Sequence, residues 1–296
     1  MESFTIKNKN GIEVTAIELG ASLTSIRVPD RHGKFQNIIL AYPTLEEYQS
    51  DAHYMGCVVG RYAGRIAAVN NLAKNDGDNH LHGGHVGWNK KHWNLACHKN
   101  TREESFFEFS LVSPDGDEGY PGEVAADVRY TLDHENRLTI KYRATSSKPT
   151  NVNLTQHCYF NLSGDPSSKI ENDELQIFSN AYLPLNPAKI PTGEISSATF
   201  KGSPLGGRPI DQTWVLENDP KKVKHAATLF SKESGRLLNV YTSEPSIHIY
   251  TGNPSGVCLE TQHYPDSPNQ PHFPSTKLNP GETFESETVW EFKSNV

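Results

Sequence analysis

The run of residues 151–162 constrains the fold more than any other part of the chain, because its polar and apolar side chains alternate almost strictly. Successive side chains of a β-strand point to opposite faces, so the run is predicted to be one long strand with an apolar back and a polar front. Gln156 is the one exception to the alternation. The front carries His157, Tyr159 and three Asn, but no Lys or Glu. Composition leaves two interpretations of this front open: a solvent-facing sheet surface, or a polar-lined cleft.

Shorter runs of the same kind recur about every 8–14 residues with turn residues between them, which indicates an all-β architecture. The clearest are residues 106–112, 124–132, 138–144, 246–250, 257–261 and 288–292. One short helix is predicted at residues 44–50, with Thr44 as its N-cap. No linker, repeat or low-complexity segment divides the chain, so we expect a single domain over residues 1–296.

The composition excludes several classes of function. Hydrophobic residues make up 35% of the chain and the mean hydropathy is −0.61, which suits sheets with one wet face. The net charge of −7 without a basic cluster argues against nucleic acid and anionic membranes as partners. No apolar run approaches the roughly 18 residues of a membrane span, and the N-terminal segment has no apolar signal core, so a cytoplasmic protein is expected. The four scattered cysteines predict reduced thiols rather than a disulfide framework.

Two segments carry polar residues that need partners. Residues 55–68 alternate, so Arg61 and Arg65 are expected on one side of a strand, bound either to a carboxylate or to a ligand. Residues 80–89 are rich in His and Gly and have three interpretations: a metal site that includes His82 and His85, a plain turn, or a loop that binds a small ligand through His82. A metal site is disfavoured because no helix aligns the histidines and no zinc-type motif is present.

A lone carboxylate, Glu260, lies in the middle of the predicted strand 257–261. Cys258, Glu260 and Gln262 share one face of this strand, opposite Val257 and Leu259. Strands disfavour Glu, so Glu260 is either an exposed edge residue or a functional group.

Together these segments resemble the aldose 1-epimerase (galactose mutarotase) family from end to end. Residues 60–66 are similar to its GRxANRI motif, and residues 153–162 to its NLTNHxYFNL motif. Further similar motifs follow in the family's order: Leu81-His82-Gly83-Gly84, Asp117-Glu118-Gly119-Tyr120-Pro121-Gly122, Ile190-Pro191-Thr192-Gly193, Ile210-Asp211, Tyr250-Thr251-Gly252-Asn253, Leu259-Glu260-Thr261-Gln262 and Asn269-Gln270-Pro271-His272-Phe273-Pro274. Each motif is weak alone, but their common order makes coincidence improbable.

The resemblance implies a large antiparallel β-sandwich of the galactose mutarotase type, with a sugar bound in an open cleft. It implies an isomerase that interconverts the α- and β-anomers of an aldose such as galactose or glucose. Glu260 would be the general base and His157 the general acid, and no metal or cofactor is required. The expected substrate-binding residues are Arg65, His82, Asp211, Tyr159, His248 and Gly64. A monomer or homodimer is expected, with a small-molecule aldose as its partner.

The chain departs from the family pattern at two site positions. Gly64 stands where the family usually has Asn, and His248 where it often has Gln. These departures leave room for a sugar-binding protein without turnover. A phosphorylated-sugar epimerase would use Arg61, Arg65 and Arg208 as its cleft cations. A glycosidase would need Asp211 as a second carboxylate.

Overall fold

The computed structural model describes residues 2–67, 71–200, 203–207, 209–217, 219, 222–253 and 255–294. Arg208 lies outside these residues. The strands are β1 (Ser3–Lys7), β2 (Glu13–Ile17), β3 (Leu23–Pro29), β4 (Phe35–Asn37), β5 (Val58–Val59), β6 (Arg65–Ile66), β7 (His80–Leu81), β8 (Asn94–Asn100), β9 (Ser105–Ser113), β10 (Val124–Leu132), β11 (Arg137–Ser146), β12 (Thr150–Asn151), β13 (Thr155–Gln156), β14 (Tyr159–Phe160), β15 (Glu174–Ile177), β16 (Ala181–Tyr182), β17 (Ser196–Ser197), β18 (Ser203–Pro204), β19 (Asp211–Val215), β20 (Lys224–Phe230), β21 (Leu237–Thr242), β22 (Ser246–Asn253), β23 (Gly256–Gln262), β24 (Lys277–Leu278) and β25 (Phe284–Lys293). The helices are single 3₁₀ turns at Glu47–Ser50, Trp88–Lys90, Asp117–Gly119 and Ser267–Asn269. The predicted all-β class with few short helices is confirmed.

Two large antiparallel sheets organise the molecule. The nine-stranded sheet has the order β18-β15-β20-β21-β25-β11-β10-β9-β8, and the six-stranded sheet has the order β14-β23-β22-β19-β16-β17. A four-stranded sheet, β1-β2-β3-β4, and three two-stranded ladders complete the β-structure of the described residues. The predicted large antiparallel sheets are therefore present.

One hydrophobic core joins the three sheets. It contains Val14 and Ile26 from the four-stranded sheet, Trp290 from the nine-stranded sheet, and Phe160 and Ile249 from the six-stranded sheet. The Phe160 and Trp290 rings meet edge to face with centroids 4.8 Å apart. Strands β10 and β11 alternate buried and more exposed residues, as expected for a sheet with one wet face. Strand β23 differs, because all of its residues are buried and its second face is covered as well.

The single long strand predicted at residues 151–162 is wrong. The run is divided into β12, β13 and β14, because each piece pairs with a different partner: β24, β5 and β23 respectively. Most of the polar front is buried in structural hydrogen bonds rather than exposed. Asn153 Nδ2 donates to the Ala63 carbonyl, and Thr155 Oγ1 donates to the Thr261 carbonyl. His157 and Tyr159 remain to line a pocket, so the cleft interpretation holds for these two residues only.

Two further local predictions of secondary structure are wrong. The helix expected at residues 44–50 is a 3₁₀ turn at Glu47–Ser50 without a side-chain cap, so the N-cap role of Thr44 is wrong. The strand expected at residues 55–68 is also wrong, because β5 and β6 are two residues each and the backbone between them forms no strand.

All four cysteines are free thiols, as predicted. Among the described residues, no helix is long and apolar enough to cross a membrane.

Candidate active site

The register of the six-stranded sheet decides which polar side chains meet. Each residue of β23 has a cross-strand neighbour on β14 or β22, and residues two apart on a strand share a face. Two adjacent rows result on the face opposite the core: Tyr159, Cys258, Tyr250 and Asp211 form the first, and Glu260, His248 and Thr213 form the second. Extending the β14 register by two residues sets His157 opposite Glu260. Residues far apart in the chain therefore come together through strand pairing.

These rows form the floor of a pocket with a volume of about 170 Å³. The pocket brings together most of the residues predicted from the sequence: Glu260, His157, Arg65, His82, Asp211, Tyr159 and His248. Gly64 does not line the pocket but contacts His82 from behind. Tyr54, Lys189 and Tyr250 also line it and were missed. Tyr250 was predictable, because it shares a face of β22 with His248, whereas Tyr54 and Lys189 lie in loops without a sequence signal.

Glu260 and His157 are both deeply buried in the pocket. Their side chains are 2% and 5% exposed, and His157 Nε2 lies 3.7 Å from Glu260 Oε1. Glu260 Oε2 is buried and has no hydrogen-bond partner among the described residues. A buried carboxylate oxygen without a donor is costly, so it marks a position where a ligand hydroxyl is expected. The exposed-edge interpretation of Glu260 is therefore wrong.

The His82 ring is held in one tautomer. The backbone N–H of Gly64 donates to His82 Nδ1 at 3.2 Å, so the proton of the neutral ring lies on Nε2. Burial holds the pKa of His82 well below its usual value, and the neighbouring His157 lowers it further. His82 is thus a neutral ring whose Nε2–H is available as a donor. This arrangement supports the ligand-loop interpretation of residues 80–89.

The tautomer of His82 also disfavours metal binding in the pocket. His82, His157 and Glu260 offer two imidazole nitrogens and a carboxylate oxygen within 4.8 Å of one another. Zinc uses such a ligand set, but a ligating imidazole normally gives its other N–H to an acceptor. His82 Nδ1 instead faces a donor, the Gly64 N–H, which keeps a proton on the nitrogen that a metal would need. The donor set therefore suits hydrogen bonding to a ligand better than metal coordination.

At the other side of the pocket, Asp211 is held by two donors. His248 Nε2 lies 3.2 Å from Asp211 Oδ1, and Lys189 Nζ lies 2.6 Å from Oδ2. Burial alone would raise the pKa of Asp211, but the hydrogen bonds and charges of His248 and Lys189 outweigh it and hold the pKa well below its usual value. The His248 ring is fixed from behind, because its Nδ1 lies 2.8 Å from Thr213 Oγ1. Asp211 is therefore an oriented anion at working pH.

The two arginines expected on one side of a strand have different partners. Arg61 is buried and donates to Ser113 Oγ and to the carbonyls of Ser113, Pro114 and Pro121, which is a structural role without a carboxylate. Arg65 lines the pocket and donates through Nε to Asp76 Oδ2 at 2.6 Å. Only Arg65 is therefore in position to meet a ligand.

Aromatic rings surround His157. The ring centroids of Tyr54, Tyr159 and Tyr250 lie 5.7, 5.1 and 6.5 Å from that of His157. The Tyr159 hydroxyl donates to the His53 carbonyl at 3.0 Å, so Tyr159 offers the pocket its ring rather than a free hydroxyl. The rings shield the histidine from water, as a proton-transfer site requires.

Gly64 is constrained by its backbone and by a neighbour. Its φ is +79°, and a Cβ added there would lie 3.0 Å from Pro265 Cγ. Gly33 has the same conformation, with φ +80°, but a Cβ there meets nothing within 4 Å. We expect Gly33→Ala to lower the free energy of unfolding by about 1 kcal/mol through backbone strain alone. Gly64→Ala is expected to lower it by about 2 kcal/mol or more, because overpacking adds to the strain.

Urea unfolding of the two variants measures this difference at one pH and temperature. Equal losses of unfolding free energy in the two variants would mean that Pro265 moves aside at no energetic cost. Steric crowding would then not be the reason for glycine at position 64.

The whole chain has recognisable relatives. Residues 2–291 match the family model described as aldose 1-epimerase. Galactose mutarotase from Bos taurus is 38% identical, and the match covers 99% of this chain and 94% of the relative. Aldose 1-epimerase from Escherichia coli (strain K12) is 35% identical, with 97% of this chain and 94% of the relative covered.

Solved structures agree with the sequence matches. An aldose epimerase homologue from C. elegans superposes with a TM-score of 0.89 at 28% identity, covering 99% of both chains. Galactose 1-epimerase from Lactobacillus acidophilus NCFM superposes with a TM-score of 0.84 at 28% identity, covering 98% of this chain and 93% of the other. The family model spans nearly the full length and the sandwich is shared. The chain belongs to the aldose 1-epimerase family of isomerases.

Proposed function

We propose that this protein interconverts the α- and β-anomers of an aldose such as galactose or glucose, with Glu260 as general base and His157 as general acid. The observation that carries the proposal is the buried pair itself, with His157 Nε2 3.7 Å from Glu260 Oε1 in a pocket of polar groups. An acid and a base this close can reach two neighbouring oxygens of one small ligand. The hydroxyl on C1 and the ring oxygen of an aldose are such a pair.

The reaction follows from these two groups. Glu260 takes the proton of the C1 hydroxyl while His157 gives a proton to the ring oxygen, so the bond between C1 and the ring oxygen breaks and an open-chain aldehyde forms. Rotation about C1–C2 turns the other face of the aldehyde toward the ring oxygen. Ring closure then returns one proton to His157 and takes the other from Glu260. Both groups end as they began, so no other reactant is consumed.

The remaining pocket groups are suited to hold sugar hydroxyls. His82 offers an Nε2–H donor, Arg65 offers the guanidinium nitrogens not bound to Asp76, and Asp211 offers carboxylate oxygens as acceptors. Side chains that together donate and accept are what a neutral polyhydroxyl ligand requires. Relatives named galactose mutarotase support galactose as the first substrate to test.

The charges of the pocket disfavour a phosphorylated sugar. Arg65 is paired with Asp76, Lys189 is paired with Asp211, and burial holds the pKa of His82 well below its usual value, so that ring is neutral. Glu260 offsets the positive charge that His157 carries as the general acid. The described pocket residues therefore leave no uncompensated positive charge for a phosphate.

Polarimetry tests the function directly. Freshly dissolved α-galactose and α-glucose are expected to reach their equilibrium rotation much faster with the protein than in buffer alone. Sugar binding measured by calorimetry, with an unchanged rate of rotation, would contradict catalysis and support a sugar-binding protein that lacks turnover.

Replacement of Asp211 by Asn should weaken substrate binding more than turnover. Asn keeps the shape but loses the anion, and a hydrogen bond to a charged group is worth about 1.5–3 kcal/mol, so KM is expected to rise roughly tenfold or more. Lys189→Met serves as the matched control, because it removes the exposed partner of Asp211 and leaves the carboxylate. Its KM should rise less, since exposed ion pairs contribute about 0–1 kcal/mol. Initial rates over a range of galactose concentrations separate KM from kcat, and a larger effect of Lys189→Met would contradict this role of Asp211.

A further inference from the structure

A buried thiol lies directly behind His157. Cys258 is 0% exposed, and its Sγ lies 3.7 Å from His157 Nδ1, on the side of the ring opposite Glu260. It is the hydrogen-bonding partner of Nδ1 among the described residues. An acid–base histidine usually has a carboxylate or a carbonyl in this position, which fixes the tautomer and favours the imidazolium. A thiol is a weaker hydrogen-bonding group than a carboxylate or a carbonyl.

We propose that Cys258 is a positioning residue, whose sulfur accepts from His157 Nδ1–H and so holds the neutral ring as the tautomer with its proton on Nδ1 and a lone pair on Nε2. The inference rests on the proposed function, because Nε2 is the atom that must exchange a proton with the sugar ring oxygen.

The proposed proton transfer at Nε2 gives the direction of this contact. Burial raises the pKa of Cys258 well above its usual value, and the nearby Glu260 raises it further, so the group is a thiol and not a thiolate. A thiol is a weak donor and its sulfur a weak acceptor. When His157 gives its Nε2 proton to the ring oxygen, the neutral ring keeps its proton on Nδ1 and can donate it to Cys258 Sγ. Nε2 then carries a lone pair that can take the proton back when the ring closes.

The other groups around His157 do not compete for Nδ1. Glu260 faces Nε2. Tyr54, His82, Tyr159 and Tyr250 contact the histidine through their rings. The Tyr159 hydroxyl is already bound to the His53 carbonyl. Cys258 is therefore the described group in position to decide which nitrogen carries the proton.

Strand β23 couples the two contacts on His157. Cys258 and Glu260 are two residues apart and lie on the same face of this strand, one facing Nδ1 and the other facing Nε2. The strand is hydrogen-bonded to a neighbour on each side, which fixes the spacing between thiol and carboxylate. A single rigid element thus orients the acid and supplies the base.

The test compares Cys258→Ala and Cys258→Ser with Cys158→Ala. Cys158 is also buried, but its Sγ contacts Gln156 Nε2 at 3.7 Å and not a histidine, which makes it the matched control for loss of a core thiol. The side-chain nitrogen NMR signals of His157 report the tautomer, and polarimetry reports kcat.

We expect the neutral His157 of the unmodified protein to carry its proton on Nδ1. Cys258→Ala should give a measurable share of the Nε2–H form and lower kcat about three- to tenfold, the effect of one weak hydrogen bond. Cys258→Ser should restore the Nδ1–H form, because a hydroxyl oxygen is also an acceptor. Cys158→Ala should change neither the tautomer nor kcat.

Three results would overturn the proposal. They are a neutral His157 with its proton on Nε2 in the unmodified protein, an unchanged tautomer in Cys258→Ala, and a tautomer change in Cys158→Ala equal to that in Cys258→Ala. Failure of the proposed function is separate, because it would appear as an unmodified protein that leaves the anomers unexchanged, while the NMR signals still decide the role of Cys258.

Discussion

Glu260→Gln is expected to lower kcat for anomer exchange by at least about 10²-fold, because it removes the general base and hardly changes the shape of the side chain. Gln has nearly the same shape as Glu, and its carbonyl oxygen can still accept a hydrogen bond. Its amide cannot take a proton from the C1 hydroxyl at neutral pH. Polarimetry at saturating galactose measures kcat, and circular dichroism verifies that the variant is folded.

The chain supplies a matched control in a second carboxylate–imidazole pair, whose carboxylate is buried and whose imidazole is half-buried. Glu244 is 2% exposed and its Oε2 lies 2.6 Å from His263 Nδ1, but neither residue lines the pocket. Burial lowers the pKa of His263, yet the charge and hydrogen bond of Glu244 outweigh this and raise it, so the pair stabilises the fold. Glu244→Gln should therefore cost stability while kcat stays near that of the unmodified protein. Equal turnover in Glu260→Gln and the unmodified protein would show that Glu260 is not the base.

The sequence predicted the residue types of the site better than their arrangement. Alternation assigned Glu260 and His157 to polar faces of strands, and both are in the pocket. Alternation cannot pair them, because only the register between β14 and β23 sets His157 opposite Glu260. The motif resemblance implied that pairing from a known fold, and the two side chains lie 3.7 Å apart.

The failures have a common physical cause. Alternation predicts that a polar strand face is exposed or binds a ligand, yet Asn153, Thr155 and Asn161 use their side chains to satisfy backbone groups where the chain changes partners. Such hydrogen bonds depend on distant carbonyls that no local pattern specifies. Lys189 was missed for a related reason, since it reaches Asp211 from a loop whose position the sheet determines.

His157→Asn is expected to lower kcat at least about 10²-fold, because Asn can accept and donate hydrogen bonds but cannot deliver a proton to the ring oxygen. The smaller side chain also leaves space between the Tyr54 and Tyr159 rings, so stability must be measured alongside activity. His263→Asn is the matched control, since it removes a half-buried imidazole from the pair with Glu244 and leaves the pocket intact. Its kcat should stay near that of the unmodified protein.

The double variant Glu260→Gln/His157→Asn distinguishes a working pair from two independent contributors. If both groups act on one sugar in the same step, removing the second after the first costs little more, because residues that act as a unit are strongly non-additive. The double variant should then be within about tenfold of the slower single variant. Independent roles would instead multiply the two losses, to about 10⁴-fold or more. Polarimetry with high enzyme concentrations can separate these outcomes, and a multiplied loss would mean that the 3.7 Å contact between the two side chains is not the acid–base pair of the reaction.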